Sequence, residues 1–137
     1  MTELGTAGDL PVSALVADPA RIKPDASLLE VADALVESDV GALVVGEGDR
    51  PAGIVSERDL IRAIARRRLV DGSTAMDVAT KQLVWCDATA TVAEVAAEMG
   101  EHYIRHVLVE EDGRFIGVVS ARDLLGVYAA GDVDTEA

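Results

Sequence analysis

Apolar residues recur at helical spacing behind two similar openings. Ser27-x-x-Glu30 leads the set Leu28, Val31, Ala32 and Leu35, and Thr91-x-x-Glu94 leads Val92, Val95, Ala96 and Met99. In each opening the hydroxyl and the carboxylate can satisfy the orphan amides of a helix start, so two capped amphipathic helices are predicted. Unbroken apolar runs come next, at Ala42–Val45 and Val107–Val109. Each meets a polar turn, Gly46-Glu47-Gly48-Asp49 or Glu110-Glu111-Asp112-Gly113, and then a second apolar run, the pattern of a β-hairpin. After Ser56 and Ser120 the spacing turns helical again, through Leu60, Ile61 and Ile64 or Leu124, Leu125 and Tyr128. With a short strand near Ile22 and another near Leu83–Val84, each stretch reads β-α-β-β-α.

The two stretches are copies of one unit. Gly53-Ile54-Val55-Ser56-Glu57-Arg58-Asp59-Leu60 returns as Gly117-Val118-Val119-Ser120-Ala121-Arg122-Asp123-Leu124, shifted by 64. Aligned without a gap, residues 26–64 and 90–128 share 14 identities in 39 positions. Upstream the register slips by about one residue, where Val12-Ser13-Ala14-Leu15 resembles Ala75-Met76-Asp77-Val78. The expected organisation is a flexible start (1–9), repeat one (10–65), a linker (66–73), repeat two (74–130) and a flexible tail (131–137). A single repeat buries too little apolar surface to stand alone, so the two are expected to pack as a mixed α/β (α+β) protein with pseudo-twofold symmetry. The triplet Arg66-Arg67-Arg68 suits a helix C-terminus, where cations complement the dipole.

Composition narrows the function. Half of the 137 residues are hydrophobic but only 3% are aromatic, so the core must be aliphatic. A net charge of −13 argues against nucleic acid and anionic membrane as partners. A small phosphate ligand stays compatible, because a few arginines can make a local positive site. Nothing resembles a leader peptide or a membrane span, so a soluble cytoplasmic protein is expected. Cys86 is the sole cysteine, and His102 and His106 are the only histidines, set where helix gives way to strand. That arrangement does not suit a metal site. Neither a nucleophile–base pair nor a phosphate-binding glycine loop with lysine is present, so no catalysis is expected.

The chemistry concentrates in the Ser-x-x-Asp segments. Each comes after an apolar strand and opens a helix, where free amides and the dipole attract phosphate. A carboxylate there can accept ribose hydroxyls, although Ser-x-x-Asp is also a plain helix cap. Arg58 and Arg122, inside these segments, can reach phosphate or pair with surface carboxylates. Trp85 suits stacking on a base, or a place in a core or interface.

These residues resemble a known family. The order Asp77-Val78-x-Thr80, Val95-Ala96, Ile104-Arg105-His106-Val107-Leu108-Val109 and Gly117-Val118-Val119-Ser120-x-x-Asp123-Leu124 is similar to a CBS domain. Repeat one matches through Val31-Ala32, Gly41-Ala42-Leu43-Val44-Val45 and Gly53-Ile54-Val55-Ser56-x-x-Asp59-Leu60, so the chain resembles a tandem CBS pair, or Bateman module, over about residues 12–128. It departs from the pattern where Ser13 or Ala14 stands in place of an Asp, and where Val44 and Leu108 stand in place of a strand proline. The resemblance implies a regulatory module with AMP, ADP or ATP in a cleft between repeats, homodimerisation, and an unidentified effector protein. It makes Asp59 and Asp123 ribose ligands beside Ser56 and Ser120, and Arg105 and His106 phosphate contacts. Gly41 and Ala42 hold the corresponding places in repeat one, so one site is expected to be the better nucleotide site. The rival readings are a ligand-free interaction module and a sensor of S-adenosylmethionine.

Overall fold

The computed structural model describes residues 7–16, 18–66 and 72–136. Two 3-10 turns, Ala7–Asp9 and Val12–Ala14, precede β1 (Arg21–Ile22), α1 (Leu28–Ser38), β2 (Ala42–Val45), β3 (Gly53–Ser56) and α2 (Glu57–Ala65). Then come α3 (Ala75–Val78), β4 (Trp85–Asp87), α4 (Val92–His102), β5 (His106–Glu111), β6 (Arg114–Ser120) and α5 (Ala121–Glu136). This is the mixed α+β class expected, with two three-stranded sheets ordered β1-β2-β3 and β4-β5-β6. In each sheet the first pair is parallel and the second antiparallel, and Ala42 faces Ser56 as His106 faces Ser120.

The departures from the sequence reading have local causes. The strand expected near Leu83–Val84 begins at Trp85, because pairing with β5 sets Trp85 opposite Leu108. Val84 contributes only its carbonyl, which accepts the Leu108 N–H at 2.9 Å. The stretch from residue 131, read as a flexible tail, continues α5 to Glu136. Arg66 is the C-cap of α2, while Arg67 and Arg68, with most of the linker, lie outside the described residues. The absence of proline at two strand positions also has a use. The Val44 N–H donates to Ala20 O at 2.8 Å, as the Leu108 N–H does to Val84, and a proline could make neither bond.

Side-chain caps fix where the helices start. Ser27 with Glu30 and Thr91 with Glu94 form the two expected boxes, and Ser56 with Asp59 forms another. Thr74 and Asp77 close a further one ahead of α3. The counterpart in repeat one has Pro11 at the cap and Ala14 where a carboxylate would be needed, and it winds only a 3-10 turn. At the hairpin tips, Asp112 (φ 54°) and Gly113 (φ 78°) form the two-residue left-handed turn that matches strand twist. The glycine-rich tip between β2 and β3 is instead held by Arg21, whose guanidinium donates to Gly46 O and Gly48 O at 3.0 and 3.2 Å.

The described residues fall into two compact units, and neither is a single repeat. One is contiguous, Pro19–Leu83; the other is a composite of the chain up to Asp18 and from Val84 onward. The leading segment of each repeat is therefore built into the unit of the other. In the composite unit the Val12 N–H donates to Ala90 O at 2.7 Å; in the contiguous unit the Ala75 N–H donates to Ala26 O at 2.8 Å. Val12 and Ala75 are both fully buried. The composite core gathers Val12, Val92, Val95, Met99, Val107, Val109, Val119 and Leu124 between α4, α5 and the sheet. Val31, Leu35, Leu43, Val45, Val55 and Ala75 form the contiguous core. Both cores are aliphatic, as the composition required.

Candidate functional site

The Ser-x-x-Asp segments sit where β3 meets α2 and where β6 meets α5, and at both the serine and aspartate cap the helix. At the first, the Ser56 N–H and Oγ donate to Asp59 Oδ2 at 2.8 and 3.0 Å, and the Asp59 N–H donates back to Ser56 Oγ at 3.2 Å. The second matches it, with Ser120 N–H to Asp123 Oδ2 at 2.9 Å and Asp123 N–H to Ser120 Oγ at 3.1 Å. The capping role is thus realised at both, and a ligand would have to share these carboxylates. Removing either serine hydroxyl is expected to cost about 1 kcal/mol of stability, read by urea denaturation of Ser56→Ala and Ser120→Ala. An unchanged midpoint in both variants would contradict the capping assignment.

The two carboxylates differ in what else they meet. Thr80 Oγ1 donates to Asp59 Oδ1 at 3.2 Å, so both oxygens of Asp59 already accept hydrogen bonds. Thr80 arrives through the exchanged leading segment, whose backbone pairs with Ile54 in both directions at 2.8 and 3.0 Å. Sequence reasoning missed this contact. Its one signal was Thr80's place in the Asp-Val-x-Thr run. Asp123 is exposed, and its Oδ1 has no hydrogen bond among the described residues.

The flanking residues differ in the same sense. The Arg105 carbonyl accepts the Ala121 N–H at 2.8 Å, and His106 lies opposite Ser120 in the ladder. Arg105, His106, Ser120, Arg122 and Asp123 therefore meet at one end of the composite sheet, over the start of a 16-residue helix. In the contiguous unit the matching bond runs from the Glu57 N–H to Gly41 O at 3.0 Å, and Ala42 lies opposite Ser56. Gly41 and Ala42 bring no cationic side chain to that strand end. Arg58, Arg105 and Arg122 are exposed, and none makes an ion pair or side-chain hydrogen bond among the described residues.

Other candidates take different places. Half-buried Trp85 meets Phe115 edge-on, with ring centroids 5.7 Å apart and planes at 79°. His102 closes α4 against Glu98 at 3.1 Å, on a different element from His106. Among the described residues no cluster of metal ligands forms, and no helix is long and apolar enough to cross a membrane. Burial, with Asp87, Glu98 and Glu110 nearby, pushes the Cys86 thiol up to about 11. The stability gained by keeping the thiol neutral is complete below its unfolded value and lost as pH rises toward 11. At pH 8 a disulfide reagent should label native Cys86 about 100-fold more slowly than the urea-unfolded chain. Equal rates would overturn that description.

Comparison with known proteins accounts for this arrangement. The CBS domain family matches residues 7–66 and again 75–130. Hypoxic response protein 1 of Mycobacterium tuberculosis is 32% identical over 100 residues, 72% of this chain and 70% of its own length. An uncharacterised conserved protein of Pyrococcus horikoshii superposes with a TM-score of 0.78 at 29% identity, over 87% of this chain and 92% of that one. A CBS domain protein of Pyrobaculum aerophilum, solved in complex with AMP, is 33% identical with a TM-score of 0.74, over 88% and 99% of the two chains. Two family matches in tandem, on two sheets of the same order and register, show that this chain belongs to the CBS domain family as a tandem pair.

Proposed function

We propose that the chain is a regulatory CBS pair that binds AMP, ADP or ATP at the Ser120–Asp123 turn and catalyses no reaction. It passes the energy of binding to a protein partner and works as a homodimer. One observation carries the reading: a helix start with an exposed, open-sided carboxylate at Asp123 is flanked by the cationic strand end Arg105-His106. The carboxylate would take the ribose hydroxyls, while the Arg105 guanidinium fork would take phosphate. The Pyrobaculum aerophilum relative, complexed with AMP, supports the same ligand class. Asp59, already bonded on both oxygens and lacking a basic neighbour at Gly41-Ala42, fits a structural role. Regulation requires only that the ligand favour one of two states, with couplings typically about 1–3 kcal/mol.

Thermal melting against AMP, ADP, ATP and S-adenosylmethionine tests the proposal. A saturable rise with one or more of the nucleotides is expected, and the ranking identifies the signal. A rise with S-adenosylmethionine alone would replace the nucleotide reading, and no rise at millimolar concentrations would leave an interaction module.

A further inference from the structure

The two Ser-x-x-Asp turns carry opposite charge. Gly41 and Glu57 of the contiguous unit correspond, 64 residues on, to Arg105 and Ala121 of the composite unit. The backbone bonds match as well, with the Glu57 N–H donating to Gly41 O at 3.0 Å and the Ala121 N–H to Arg105 O at 2.8 Å. A cation on the strand end of one unit is thus replaced by a carboxylate on the helix start of the other. Glu57 and Asp59 outnumber Arg58 at the first turn, whereas Arg105 and Arg122 outnumber Asp123 at the second.

The Glu57 side chain turns back toward the strand end. A Cβ added at Gly41 would stand 3.5 Å from Glu57 Oε1, in van der Waals contact with the carboxylate. The carboxylate therefore borders the space into which a side chain at this strand position departs, the space that Arg105 enters in the composite unit. An acid in the first turn of a helix complements the dipole wherever its side chain points, so the dipole alone does not call for this placement. Among the described residues Glu57 has no ion-pair partner, so nothing there cancels its charge.

A phosphate brought to this strand end would meet a carboxylate where the composite unit offers a guanidinium. Between partly exposed groups about 5 Å apart, one opposing unit charge weakens binding about 10- to 100-fold. We propose that Glu57 is a specificity-determining residue that keeps phosphate-bearing ligands off the Ser56–Asp59 turn, and so leaves the nucleotide to the composite turn. Lack of a cation would only make the first turn weak; an opposing carboxylate makes it select against phosphate. The inference rests on the nucleotide reading above, and it names the group that refuses a second nucleotide.

Calorimetric titration of the full chain with AMP tests it in both directions. Ala121→Glu brings the carboxylate to the composite turn, and Ala121→Gln brings the same shape without the charge. The first should weaken AMP binding about 10- to 100-fold, and the second should stay within about threefold of wild type. In the other direction, Gly41→Arg/Glu57→Ala/Thr80→Val gives the contiguous turn a cation, removes the opposing charge and frees Asp59 Oδ1, so a second AMP should bind. Melting curves show which variants stay folded, and the Ala121 pair decides the question if the triple variant does not. No AMP binding by wild type would overturn the nucleotide reading itself. Where wild type binds one AMP, equal affinities for Ala121→Glu and Ala121→Gln would overturn the exclusion, as would a folded triple variant that still binds one. Two AMP molecules on each wild-type chain would overturn it outright.

Discussion

Asp123→Ala should abolish most of the thermal shift given by adenine nucleotide, while Asp59→Ala should keep it. A ligand at 100 times its Kd adds about 2.7 kcal/mol, a rise of roughly 9 °C for a 137-residue chain. Hydrogen bonds from ribose hydroxyls to a carboxylate are charge-assisted, and losing a pair of them weakens binding about 100-fold. At the same ligand concentration the rise then falls to roughly 1 °C. Arg105→Ala should act in the same direction for AMP, because it removes the guanidinium fork at the strand end. Both aspartates also cap helices, so each alanine variant melts lower without ligand by about 1 kcal/mol. The ligand-induced shift, not the melting point, carries the information. A shift lost in Asp59→Ala and kept in Asp123→Ala would reverse the assignment of the two sites.

The largest expected effect on folding is at Gly53. A Cβ there would lie 2.9 Å from the Thr80 carbonyl oxygen and 3.3 Å from the Ala79 Cβ. The obstacle is backbone, so the exchanged leading segment must move away from β3. Its two hydrogen bonds to Ile54 would stretch, and Thr80 would withdraw from Asp59. Overpacking with strained backbone bonds makes Gly53→Ala destabilising by about 3 kcal/mol, a fall of roughly 10 °C. Gly100→Ala is the matched control. It lies exposed within α4, and an added Cβ meets nothing within 4 Å. There the substitution should stabilise by about 0.5–1 kcal/mol, since alanine is the better helix former. A Gly53→Ala variant as stable as wild type would mean that the Thr80 segment does not pack where it is placed here.

How much of the fold and site was legible in the sequence depends on the range of the interactions. The capping boxes at Ser27, Ser56, Thr91 and Ser120 act over three residues, and the hairpin tips over four, so each could be read from its own segment. The family resemblance grouped Arg105 and His106 with Ser120 and Asp123, and the β5–β6 register sets His106 opposite Ser120. The exchange of leading segments was not legible. Val12 and Ala75 occupy near-equivalent places in near-equivalent units, so local patterning fits either partner equally well. Two consequences of the exchange, the Asp59–Thr80 bond and the close approach at Gly53, stayed hidden with it. Trp85 and Phe115 meet across a sheet at a separation of 30 residues, which no short-range pattern records.

Titration calorimetry of the wild-type chain with AMP tests most directly whether one adenine nucleotide binds at the composite turn. Saturable binding with one AMP per chain is expected, lost in Asp123→Ala and retained in Asp59→Ala. Two equivalent AMP molecules per chain, or no heat of binding at millimolar AMP, would contradict it.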